Sequence, residues 1–136
     1  MRLYRPVGLR ELELISESGF TAFPARLEHQ PIFYPVLSFE YAEQIARNWN
    51  TRDAAPGYCG FVTQFEVAES FARGFEVHRV GSSTHEELWV PAEQLGEFNR
   101  RIEGSIEIVA YFYGELFNQP IDPESRLPVQ IVSRRS

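Results

Sequence analysis

Tyr58-Cys59-Gly60-Phe61-Val62-Thr63-Gln64-Phe65-Glu66-Val67 is the stretch at which this chain changes character. Phe61, Thr63, Phe65 and Val67 alternate with Val62, Gln64 and Glu66, and a period of two residues belongs to a half-buried strand. Upstream of it the pattern reads strand, helix, strand, helix. Downstream of it strands dominate. That order predicts an α+β arrangement, not a doubly wound parallel sheet.

Working back towards the start, Leu3-Tyr4-Arg5-Pro6-Val7 reads as a first strand, and Gly8 opens a helix over Leu9 to Glu17. Leu9, Leu12 and Ile15 recur at helical spacing and Gly19 is a fitting stop. Phe20 to Pro31 is irregular and holds two prolines, so it reads as a long loop. Ile32 to Leu37 is a second strand in which Pro35 marks an edge or an early end. Ser38 is a good N-cap and Glu40 sits near the positive helix end. Phe39, Ala42, Ile45, Ala46 and Trp49 then form one apolar stripe on a second helix. Asn48 to Gly57 reads as a polar loop.

Working forward, a short helical turn fits Ala68 to Arg73. Phe75 to Val80 and Glu86 to Val90 read as a strand pair joined by Gly81-Ser82-Ser83-Thr84. Pro91 suits the first position of a third helix, with Leu95, Phe98 and Ile102 facing inward. Ile106, Ile108, Ala110 and Phe112 mark a final long strand. Residues 118–136 contain Pro120, Pro123 and Pro128 and end in Ser-Arg-Arg-Ser, which predicts an extended tail frayed at its end, after a domain over 1–117. Arg134 and Arg135 read as part of that solvated tail.

The bulk figures narrow the class. The 136 residues suit one domain, and 43% hydrophobic with 14% aromatic supplies a core. A net charge of −6 offers no basic footprint, which speaks against a nucleic-acid partner. Acidity leaves a nucleotide ligand open, because one or two well-placed arginines hold a diphosphate. No segment reaches the ~20 apolar residues that span a bilayer. The start shows no apolar run of signal-peptide length, so the expected location is the cytoplasm. Cys59 stands alone, which precludes an internal disulfide and reads as a buried structural thiol.

No phosphate loop, dinucleotide fingerprint, HExxH or paired CxxC is present, and His29, His78 and His85 lack metal-ligand spacing. No metal is implied. Three segments carry more: Leu3-Tyr4-Arg5 before the first helix, Ile32-Phe33-Tyr34 before the second, and Glu86-Glu87-Leu88-Trp89-Val90-Pro91. On these the chain resembles the ADP-ribosyltransferase superfamily over about residues 1 to 112. Phe33 to Trp49 is similar to the "FY…A…W" block of small bacterial members carried under an ADP-ribosylation/crystallin label. The crystallin-related hydrolases sharing that label are larger, helical, metal-binding proteins, which this chain does not match.

The resemblance implies a split mixed sheet with two to three helices and a nucleotide-sized cleft. It implies NAD as the substrate of glycosyl transfer, with Arg5 holding the dinucleotide, Tyr34 stacking on nicotinamide and Glu87 steadying the cationic ribose. His85 is a further candidate beside Glu87. The sequence departs from the family where Arg5 replaces the commoner His and where His85 occupies the position two before Glu87. The acceptor therefore stays open.

Strand alternation puts His85, Glu87 and Trp89 on one face, with Leu88 and Val90 on the other, towards the core. A carboxylate facing the site of bond cleavage would stabilise a ribose approaching an oxocarbenium ion more than it stabilises the ground state. Bland readings stand beside these. Arg5 also suits a plain ion pair, Tyr34 a core aromatic, and Trp49 and Trp89 packing anchors. Two other functions stay open: a module that binds NAD or ADP-ribose without turnover, and a protein-interaction domain, with oligomers possible.

Overall fold

Two three-stranded sheets form the frame of the computed structural model, which describes residues 1–82 and 85–135. In the first, β1 (Arg2–Val7) and β6 (Ile102–Tyr113) flank β3 (Cys59–Val67). In the second, β2 (Ile32–Phe33) and β4 (Glu76–Arg79) flank β5 (Glu86–Pro91). The β4–β5 pair appears as expected, while Ser83 and Thr84 of its predicted turn lie outside the described residues.

The two sheets meet through one residue. Val36 continues the register of β2 and bridges Tyr4 of β1 on one side and Glu87 of β5 on the other. The Val36 and Tyr4 main chains exchange both hydrogen bonds, at 2.7 and 2.9 Å. Pro35, with no N–H to give, still accepts from the Leu88 N–H at 2.8 Å. The class is α+β, as the sequence pattern predicted, and the strands divide between two sheets. Every pairing between described strands is antiparallel, however, where a mixed sheet was expected. The connections explain this, since no βαβ crossover here returns a strand parallel to its neighbour.

Helices cover both faces. On one lie α1 (Leu9–Glu17), α4 (Leu95–Arg100) and α5 (Val129–Arg135). Their Leu12, Ile15, Phe98 and Ile131 join Leu3, Phe33, Phe61 and Phe65 in the main core. Phe98 is its hub, with Phe33, Phe65, Phe71 and Phe75 rings all within 6.2 Å of its own. On the other face α2 (Phe39–Asn48) seats Ala42 and Ala46 against Val36 and Val62. Ser38 starts that helix as predicted, its hydroxyl accepting from the Tyr41 N–H at 3.2 Å. Gly60 lets α2 lie so close, because a Cβ there would stand 2.5 Å from the Ala46 carbonyl oxygen.

Four expectations are corrected. There are five α-helices among the described residues rather than two or three, the short α3 (Glu69–Ala72) being the predicted helical turn. Ile102 opens β6 and does not complete the third helix, which stops at Arg100. The expected extended tail closes into α5, which Pro128 precedes without needing an N–H. Leu127 and Ile131, four residues apart, are buried against the main core. Trp49 falls off the apolar stripe and is 68% exposed, because α2 ends at Asn48.

Candidate functional site

Glu87 lies in a row of four directly paired residues, Tyr4, Val36, Glu87 and His78, running across β1, the bridge, β5 and β4. Directly paired residues point to the same side of a sheet, so this row faces the α2 layer. Leu88 and Val90 point the other way and are fully buried, as the alternation predicted. Glu87 itself is half-buried, and so are its neighbours in alternation, His85 and Trp89.

Aromatic rings close around the carboxylate. The Tyr41 hydroxyl, from the first turn of α2, donates to Glu87 Oε2 at 3.2 Å. The Trp89 indole N–H reaches Glu87 Oε1 at 3.4 Å. Tyr41 stacks on His85 at 4.4 Å, Trp89 stacks on His78 at 3.7 Å, and Tyr34 meets Trp89 edge-on at 5.6 Å. Both contacts to Glu87 are long for their type, so they orient the carboxylate without saturating it. No arginine pairs with Glu87 among the described residues, and its donors are neutral. Burial, then the Glu87 charge and hydrogen bond, pushes the Tyr41 phenol above its ordinary range, so it stays a donor at neutral pH. A cavity of about 370 Å³ adjoins the cluster through His85 and is lined otherwise by Glu40, Glu43, Gln44, Arg47 and Asn48.

Arg5 is elsewhere. It belongs to the opposite face, where its guanidinium stands 4.7 Å above the Phe33 ring and grips Glu11 of α1 at 2.6 and 3.1 Å. The two side chains are only 11% and 23% exposed. Arg26 lies near enough that burial and the Arg5 charge lower its pKa. The structure therefore brings Tyr34, His85 and Glu87 together and leaves Arg5 across the sheet, held in an ion pair. Cys59 is buried as expected, and burial pushes its thiol up to about 12.

Tyr41 was not singled out in the sequence, and His78 was weighed there only as a metal ligand. The signal for Tyr41 was slight: it stands three residues after the helix cap, off the apolar stripe, and only the packing of α2 over the bridge at Val36 carries it to Glu87. His78 owes its place to the β4–β5 register, which pairs it with Glu87. Among the described residues no group of histidines, cysteines and acids is arranged to hold a metal. Among the described residues no helix is long and apolar enough to cross a membrane. No protein-family model, curated protein or solved structure matches the chain.

Proposed function

We propose that the Glu87 face binds a flat, positively charged group, and that the nicotinamide end of NAD is the ligand it suits. One observation carries this reading: a carboxylate without a cationic partner among the described residues is oriented by two neutral ring donors amid three further aromatic contacts. An aromatic face attracts a cation through its quadrupole, and the unneutralised carboxylate adds a full charge beside it. The resemblance to the ADP-ribosyltransferase superfamily supports the same ligand, with Tyr34, His85 and Glu87 as the residues concerned.

Glycosyl transfer follows as the chemistry of that site. The bond between the ribose C1 and the nicotinamide nitrogen breaks, and its electron pair leaves with neutral nicotinamide. Glu87 faces the cationic ribose carbon, and an acceptor then adds there and gives up its proton. Arg5 takes no part in this version, because Glu11 already neutralises it.

The test is a proton NMR titration with NAD, followed over hours for free nicotinamide. The expected result is a shift of the Trp89 and Tyr41 ring signals and nicotinamide release that Glu87→Gln abolishes with the fold intact. N-methylnicotinamide, a cation, should shift the same signals, and neutral nicotinamide should do so at least about tenfold more weakly. Equal binding of the two, or no perturbation by NAD, overturns the proposal.

A second reading rests on the position of Arg5. With the expected phosphate-holding residue across the sheet, the same face would bind NAD or ADP-ribose without turning it over. Ring shifts without nicotinamide release identify that outcome.

A further inference from the structure

A larger cavity, of about 630 Å³, opens at the far end of α2 between the 3-10 turn Asn50–Arg52 and the end of β6. Its volume falls in the range of small-molecule sites. The end of β6 and the 3-10 turn meet closely at one wall. A Cβ on Gly114 would stand 2.0 Å from the Thr51 carbonyl oxygen, so the strand end is pressed directly onto the turn. The Gly114 N–H also donates to the Tyr58 carbonyl at 2.9 Å.

Tyr58 lines this cavity in an unusual backbone conformation. Its φ is +60°, directly after Gly57 at +87°, and bulky residues rarely adopt the left-handed region. Two hydrogen bonds hold it there: its N–H donates to the Asp53 carbonyl at 2.9 Å, and its carbonyl accepts from Gly114. A strained tyrosine at a cavity wall, where any glycine would fit without strain, points to a job for its side chain.

The charges are arranged as well. Arg47, Arg52 and Glu115 are the charged residues of the lining, on a chain whose net charge is −6. Arg47 is pre-set over the Phe112 ring at 5.2 Å and steadied by Glu43 at 3.1 Å, leaving its other N–H groups unspent. Arg52 has no carboxylate partner among the described residues. Asn48, one residue after Arg47, adds an amide to the same wall.

We propose that this cavity is a second binding site, bordering the smaller cavity at Arg47 and Asn48, for a small phosphate monoester carrying a flat ring. Arg47, Arg52 and Asn48 hold the phosphate, and the Tyr58 ring stacks on the flat part. Nothing in this assignment depends on the Glu87 face.

The experiment is an amide NMR titration of the full chain with phenyl phosphate, with inorganic phosphate and phenol as the separated halves, at constant ionic strength. Phenyl phosphate should shift the Asn48, Arg52 and Gly114 amides in a saturable way, with inorganic phosphate weaker and phenol without effect. Arg52→Ala should weaken the phenyl phosphate response about tenfold, as loss of one charge-assisted contact does. Tyr58→Gly, which relieves the backbone, should raise stability while weakening phenyl phosphate relative to inorganic phosphate. Glu87→Gln should leave all of this unchanged, which separates failure here from failure at the other face. Unsaturable shifts, shifts by phenol alone, or an unaltered response in the Arg47→Ala/Arg52→Ala double variant overturn the proposal.

Discussion

Glu11, on α1 over the core side of the sheets, and Glu87, in β5 on their α2 side, are two half-buried carboxylates whose surroundings differ in kind. Glu11 meets a guanidinium in two-pronged geometry on the core side. Glu87, on the α2 side, meets a phenol and an indole that orient it while leaving its charge whole. The first arrangement neutralises a charge and ties α1 to β1. The second holds a carboxylate in place with no opposite charge beside it among the described residues. The sheet thus separates an ion pair that serves the fold from an acid that the fold leaves unspent.

The largest effect should come from breaking the ion pair. Glu11→Ala strands the Arg5 guanidinium at 11% exposure and should cost about 3 kcal/mol in urea unfolding. The double variant Arg5→Met/Glu11→Leu should recover most of that loss, because two apolar groups of similar size need no partner. Glu87→Gln should cost less than about 1 kcal/mol, since it keeps the shape and strands no opposite charge. Equal losses for Glu11→Ala and Glu87→Gln would erase the distinction between the two faces.

A subtler measurement sharpens the same contrast from the side of Tyr41. Its phenol is raised above the ordinary ~10, by burial first and then by the Glu87 charge. A raised folded pKa means that the stabilisation is whole below about pH 10 and is lost as the pH climbs further, because the unfolded chain gives up its proton first. Tyr113 is raised too, by burial and by neighbouring groups, and contributes its own alkaline loss. The informative quantity is therefore a difference. Tyr41→Phe should cost about 1 kcal/mol at neutral pH and flatten the alkaline slope. Glu87→Gln should bring the Tyr41 titration part of the way back towards normal, leaving the share due to burial.

Much of this frame was legible in the sequence, for physical reasons that can be named. The alternation around Glu87 put Leu88 and Val90 inwards because a strand has a period of two whatever it packs against. Ser38 capped α2 because a hydroxyl there satisfies a free N–H in any fold. What could not be read was which face each strand shares with its neighbours. Arg5 and Glu87 stand on adjoining halves of a sheet, and the parity of the single bridge at Val36 decides whether they converge. The pairing puts Tyr4, not Arg5, in the row with Glu87, and that one-residue difference sends Arg5 to the opposite face. The C-terminal helix was hidden for another reason. Its three upstream prolines read as extended chain, while the burial of Leu127 and Ile131 depends on a distant surface supplied by α1 and the main core.

The smallest effect belongs to Trp49, and it tests where the α2 layer ends. On a continuous helix Trp49 would extend the stripe of Ala42 and Ala46 and lie under the sheet. Instead the chain turns into the 3-10 segment Asn50–Arg52, and the indole stands 68% exposed. Trp49→Ser removes a large apolar group that touches little, so its unfolding free energy should stay within about 0.5 kcal/mol of the parent. Ala46→Ser, by contrast, places a hydroxyl in the fully buried contact with β3 and should cost more than Trp49→Ser does. A Trp49→Ser loss of about 2 kcal/mol or more would mean that the indole packs in solution, with α2 running on past Asn48. The α2 face would then extend over the corner where Arg47 and Arg52 converge, and the Glu87 face would no longer be the distinctive surface on that side of the sheet.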